Sequence, residues 1–170
     1  VSKECRAAEK QLKERVQSVL DTYGCCVAGS LIPGTEKFGM LPEKLMEDLL
    51  YLADEILIEA DGSAHMPVKA PAEHEPVLFP YMDEVVIVMG AHAIGKPLQE
   101  VCHRVDYAKE LLKCDADKIV TAADIETLAE QGYAIPIQKQ FPWMKISKVT
   151  GKDIKLCLTA EKKDKVRDKQ

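Results

Sequence analysis

Residues 55–77 read EILIEADGSAHMPVKAPAEHEPV, and the fold turns on how this stretch is taken. Ile56, Leu57 and Ile58 form an unbroken apolar run, the pattern of a strand covered by helices on both faces of its sheet. The run closes on Glu59, Asp61 and Gly62, then enters a loop punctuated by Pro67, Pro71, Pro76 and Pro80. Each proline removes a backbone donor and restrains the residue before it, so the loop is expected to be ordered but irregular. An unpaired carboxylate is costly in a dry interior. Glu59 and Asp61 therefore belong where they reach solvent, a cation or hydrogen-bond donors, and strand alternation puts them on the same side of the extended chain.

Upstream, residues 2–22 predict a helix capped by Ser2, with Leu12, Val16, Val19 and Leu20 on one side and Gly24 ending it. CCVAGS (25–30) reads as a short buried strand and LIPGTEKFG (31–39) as a turn-rich loop. In LPEKLMEDLLYLA (41–53), Pro42 suits the first helical position, with Leu45, Leu49, Leu50 and Leu52 as the packing side. Downstream, EVVIVMG (84–90) is the clearest strand. PLQEVCHRVDYAKELLKC (97–114) holds one helix or two. TAADIETLAEQG (121–132) is a helix capped by Thr121 and stopped by Gly132, and WMKISKV (143–149) is a candidate fourth strand. Strand–helix alternation at this spacing predicts an α/β fold: a three-layer, mainly parallel sheet with crossover helices that binds ligands at the carboxyl ends of its strands.

The chain has 170 residues, within reach of one domain with a sizeable core. No apolar run approaches the ~20 residues needed to span a bilayer, and the charged N-terminal stretch lacks a signal-peptide core, which points to the cytoplasm and away from membranes. The six cysteines have no two-residue spacing typical of zinc or redox motifs, so they are expected to be free, buried thiols. Net charge is −5, unevenly spread. Residues 138–170 carry ten Lys or Arg against four Asp or Glu, a local +6 that leaves −11 on residues 1–137. An acidic body repels nucleic-acid phosphates. The division is therefore an α/β core over 1–137 and a basic C-terminal segment over 138–170, holding one strand and a helical or frayed tail.

The candidate chemistry gathers around the opening stretch. A strand-terminal Asp-Gly is what nucleotide hydrolases use to hold Mg²⁺ while the backbone approaches a phosphate, and it is also a common turn. Lys69 can neutralise a phosphate or carboxylate, and His74, beside Glu75, can relay a proton or ligate a metal. GAHAIGKP (90–97) nearly matches the phosphate-loop pattern, but Pro97 stands where a Ser or Thr is required and offers neither hydroxyl nor N–H, so a strand-to-helix turn is the expected reading. His103 and Arg104 follow; an arginine there stabilises phosphate charge or forms a surface ion pair.

Three stretches, KFGMLPEKL, EADGSAHMPVKAPAEHEPV and VMGAHAIGKPLQEVCHR, in this order and spacing, resemble the selenium-dependent hydroxylase accessory protein YqeC family. The resemblance runs over roughly residues 25–132. It implies a P-loop NTPase-like fold and a role in the maturation of selenium-dependent molybdenum hydroxylases, with such a hydroxylase as partner and Mg²⁺ with ATP or GTP as cofactor. Family members begin with a GxGGKT-type phosphate loop; nothing before Ser30 matches it, so the chain is expected to lack that element, and nucleotide hydrolysis is implied only where it is present. A later Asn-Lys-x-Asp-like stretch corresponds to VTGKD (149–153), which lacks the Asn. By position, the resemblance implies a metal site of Asp61 and Glu59, and a nucleotide or substrate site of Gly62, Lys69, His74, Glu75, His103 and Arg104. Two alternatives stand beside it: a non-enzymatic module that grips an anionic cofactor or a partner, and a metal-dependent hydrolase using Glu59, Asp61, His74 and Glu75.

Overall fold

The computed structural model describes residues 3–150; the expected cap at Ser2 and the expected helical or frayed tail after residue 150 lie outside them. The chain divides into two compact units, Val1–Ile58 and Glu59–Gln170.

In the first unit, helix α1 (Lys3–Tyr23) buries Val16 and half-buries Leu12, Val19 and Leu20, the side expected from their spacing. Gly24 ends it with a φ of 73°, and its N–H returns to the Leu20 carbonyl at 2.8 Å, the C-terminal role that glycine's left-handed backbone permits. Strands β1 (Ser30–Leu31) and β2 (Phe38–Gly39) pair antiparallel around the turn-rich loop. Helix α2 (Glu43–Leu49) starts one residue after Pro42 and buries Leu45, Met46 and Leu49. Leu50, expected in that packing side, is exposed, because the helix ends before it. The expected buried strand over 25–30 is also corrected: Val27 is fully exposed, Cys25 is exposed, and only Ser30 enters a strand. Apolar character alone does not make a strand; its backbone groups need a paired neighbour.

The second unit contains β3 (Val68–Lys69), β4 (Glu84–Met89), α3 (Leu98–Val101), β5 (Cys102–His103), α4 (Val105–Leu112), α5 (Ala122–Thr127), a π-helical turn (Leu128–Ala134), α6 (Ile135–Gln140) and β6 (Lys145–Thr150). β4 and β6 run parallel in register from Glu84 beside Lys145 to Met89 beside Thr150, and β3 and β5 pair parallel with Val68 beside Cys102 and Lys69 beside His103. Parallel pairing is thus as expected, and residues 143–149 do supply a strand. The core gathers Val68, Ile87, Met89, Leu98, Val120, Ile125, Leu128 and Met144, all buried.

The stretch EILIEA, expected as a strand, departs from expectation. Residues 55–60 form no strand, and Leu57 is 83% exposed. The apolar run is the pattern of a strand, yet among the described residues no ladder closes its backbone groups. The described strands therefore make three two-stranded sheets instead of one three-layer sheet.

Residues 97–114 resolve into two helices, α3 and α4, separated by β5 and by Arg104 in the left-handed conformation (φ 61°). Thr121 caps α5, as expected, in a reciprocal capping box with Asp124. Gly132 does not stop the helix; it lies inside the π-helical turn, and a Cβ there would stand 3.1 Å from Pro71 Cδ. Its smallness serves close approach of the proline loop and not chain reversal.

Residues 90–97 form the turn expected of a failed phosphate loop. Gly90, Ala93, Ile94, Gly95 and Lys96 all donate their N–H groups to backbone carbonyls of this unit, which takes these five amides away from any phosphate. Gly90 is hemmed in: an added Cβ would lie 2.8 Å from Pro67 Cβ and 2.7 Å from His92 Cε1. Gly90→Ala is expected to destabilise the fold by ~1–3 kcal/mol through overpacking, read as a lower urea midpoint at unchanged slope.

Candidate functional site

The loop after residue 60 is tied down by charge. Lys69 lies in β3 with its side chain only 5% exposed. A lysine ammonium has three hydrogens to donate, and three acceptors surround this one: Asp61 Oδ1, the Gly62 carbonyl at 2.9 Å and Glu75 Oε2 at 3.0 Å. Glu75 Oε2 also accepts from the Ala72 N–H at 2.9 Å, while its Oε1 accepts from Arg104 Nη2 at 2.8 Å. The remaining Asp61 oxygen, Oδ2, accepts from the Tyr133 hydroxyl at 2.6 Å. Two acids and two bases thus alternate as Asp61, Lys69, Glu75 and Arg104, closed at one end by a buried phenol.

Local structure explains each position. Register places Lys69 beside His103, so the residue that follows His103, Arg104, emerges next to the loop. Its left-handed backbone, unusual for a residue with a side chain, turns the chain from β5 into α4. The π-helical turn carries Tyr133, whose OH needs a partner once buried. A further turn at 63–66, closed by Met66 N–H to the Ser63 carbonyl at 3.0 Å, holds Ala64 and His65 at positive φ.

Electrostatics follow from this packing. Burial pushes the Glu75 carboxyl up, but the Arg104 bond, the Ala72 amide and Lys69 outweigh it and hold the carboxyl down at about 2. The bond to Glu75 raises Arg104 above the ordinary guanidinium range. Burial first, and then the bond to Asp61, push the Tyr133 phenol well above its usual value, so it stays a proton donor.

Of the residues singled out from the sequence, Asp61, Gly62, Lys69, Glu75 and Arg104 come together. His74 stands at the edge, 75% exposed, with Nε2 4.0 Å from Glu75 Oε1. His103 contributes its place in β5, and its carbonyl accepts from the Ala70 N–H at 3.3 Å. Glu59 is exposed and outside the network. Gly62 contributes its carbonyl; the nearest atom to an added Cβ is Glu59 Oε1 at 3.6 Å, so nothing there demands a glycine. Tyr133 was not foreseen, because the only signal for it is a buried hydroxyl whose partner lies 72 residues away.

The donor set does not fit a divalent cation as it stands. Both oxygens of Asp61 and both of Glu75 are committed to hydrogen bonds, and among the described residues no three His, Cys, Asp or Glu side chains gather as a metal site. A cleft of about 350 Å³ opens beside the network, lined in part by Pro71, Glu73, Glu75, Tyr107, Glu110 and Leu111.

These features define a mixed α/β protein with short parallel strand pairs and a polar site in which a proline-rich loop meets Arg104 and Tyr133. The family model described as YqeC protein matches residues 2–106. The chain belongs to the YqeC family. It is 41% identical over 76 residues to the protein described as "Uncharacterized protein YqeC" of Escherichia coli (strain K12), a match covering 44% of this chain and 30% of that relative's length. No solved structure matches. Among the described residues, no helix is long and apolar enough to cross a membrane.

Proposed function

We propose that this chain acts in the cytoplasm as an accessory protein in the maturation of selenium-dependent molybdenum hydroxylases, and that the loop over 61–76 with Arg104 meets an anionic ligand, ATP or GTP first among the candidates. One observation carries this reading: the family-matched stretches that are far apart in sequence converge on a single charge network through Lys69, Glu75 and Arg104. Lys69 is sealed by its three acceptors, so the partly exposed Arg104, whose side chain is 32% exposed, is the cation that reaches an incoming anion. Exposed His74 stands ready to orient it or exchange a proton. The reading takes the short parallel sheets as part of a P-loop-like arrangement. Because the donor set does not fit Mg²⁺, no step is assigned to it.

Calorimetry with ATP and with GTP tests the reading. Binding is expected, and Arg104→Ala should weaken it by roughly tenfold or more, the effect of losing one charge-assisted hydrogen bond. Heats indistinguishable from dilution for both nucleotides would sink it.

The cleft favours a second reading, a non-enzymatic partner-binding module. Three of its lining residues, Glu73, Glu75 and Glu110, are acidic and none is basic, which suits a basic segment of a partner hydroxylase. Capture of the hydroxylase with no nucleotide present, weakened by charge reversal at Glu110, is the outcome that distinguishes it.

A further inference from the structure

The family resemblance casts Asp61 as a Mg²⁺ ligand, and the geometry points elsewhere. We infer that Asp61 is an anchor for Lys69 and Tyr133 instead of a cation ligand, and that Tyr133 is the positioning residue that keeps the carboxylate closed to divalent ions.

Asp61 Oδ1 faces the Lys69 ammonium, and Oδ2 takes the Tyr133 hydroxyl at 2.6 Å. A divalent ion on Oδ1 would stand against the lysine's own positive charge, and like charges at that separation repel strongly away from bulk water. Lys69 has no better place to go. Its side chain is 5% exposed, and moving it strips the Gly62 carbonyl of its side-chain donor and leaves Glu75 Oε2 with the Ala72 N–H but no cation. A divalent ion on Oδ2 must first evict the phenol, which is fixed by the π-helical turn and packed in the core. Mg²⁺ also demands a near-octahedral set of oxygens. The nearby acids supply none: Glu75 is committed to Lys69, Ala72 and Arg104, while Glu59 is exposed and outside the network.

Tyr133 therefore decides what Asp61 can do. An ordinary α-helical continuation would drop the extra residue of the wider π turn and rotate residue 133 relative to the loop. The hydroxyl would then leave Oδ2.

The inference holds whether or not a nucleotide binds, and its test is independent of activity. In the whole chain with ¹³C-labelled aspartate, the Asp61 carboxyl signal is followed as Mn²⁺ is added with no nucleotide present, because Mn²⁺ carried by ATP beside Arg104 would broaden it through space without ligation. The signal is expected to broaden no sooner than those of exposed carboxylates. Tyr133→Phe, which frees Oδ2, should broaden at an Mn²⁺ concentration at least about tenfold lower. Selective early broadening of Asp61 in the unaltered, nucleotide-free chain overturns the inference. Unchanged behaviour in a folded Tyr133→Phe overturns the part assigned to Tyr133. If that variant does not fold, the unaltered chain alone decides whether Asp61 takes a cation. Failure of ATP to bind would count against the proposed function and leave the ATP-free result standing.

Discussion

Lys69→Met is expected to lower the unfolding free energy by about 3 kcal/mol or more, the cost of removing one partner from a buried charge group. Methionine keeps most of the stem's volume, so the loss reports charge and not packing. Without the ammonium, Asp61 and Glu75 face each other's negative charge from poorly hydrated positions, 11% and 14% exposed, and the Gly62 carbonyl loses its donor. Tyr133 and Arg104 still hold one oxygen of each acid, which limits the damage to the centre of the network. Urea unfolding of the two proteins at neutral pH measures it. A change below about 1 kcal/mol would place Lys69 among ordinary surface ion pairs and remove the reason for treating the loop as one unit.

The second large effect is a loss of stability in acid that belongs to Glu75. Its carboxyl titrates at about 2 in the folded chain against 4.5 for the free group. A depressed folded value means that the unfolded chain binds the proton more readily. The stabilisation is therefore complete above the unfolded value and drains away as pH falls from about 4.5 towards 2. The difference corresponds to about 3 kcal/mol across that window. Glu75→Gln should be less stable than the unaltered chain at neutral pH and should lack this part of the acid slope, so the two stability curves converge as pH drops. Parallel curves through the window would show that Glu75 titrates like an exposed carboxylate.

What the sequence revealed depended on whether a signal was local. The cap at Thr121 was legible because a cap and the turn it closes are neighbours in sequence; its box partner Asp124, three residues on, was not singled out. The strand at Glu84–Met89 was legible from its own apolar run, and the failed phosphate loop from Pro97 alone. The same apolar signal misled at residues 55–60, since a run of isoleucine and leucine says nothing about whether a neighbour will pair with it. Gly132 misled for a related reason. A glycine late in a helix reads as a stop, while its use here, contact with Pro71, is set by a loop about sixty residues earlier in the chain.

The site was half legible. Asp61, Lys69 and Glu75 lie close in sequence, and the proline spacing announced an ordered loop that would keep them close in space. Their roles were not legible, because those depend on distant partners. Arg104 reaches Glu75 across 29 residues, and Tyr133 reaches Asp61 across 72. With those two in place, the acids read as the interior of an ion-pair network; without them, they read as ligands awaiting a metal.

The most direct test of that network is a carboxyl ¹³C titration of Glu75 in the folded chain. The account predicts that Glu75 is still ionised at about pH 3.5, where free glutamates are largely protonated. A midpoint at or near 4.5 would contradict it, since a glutamate bonded to both Lys69 and Arg104 cannot titrate as though it stood alone in water.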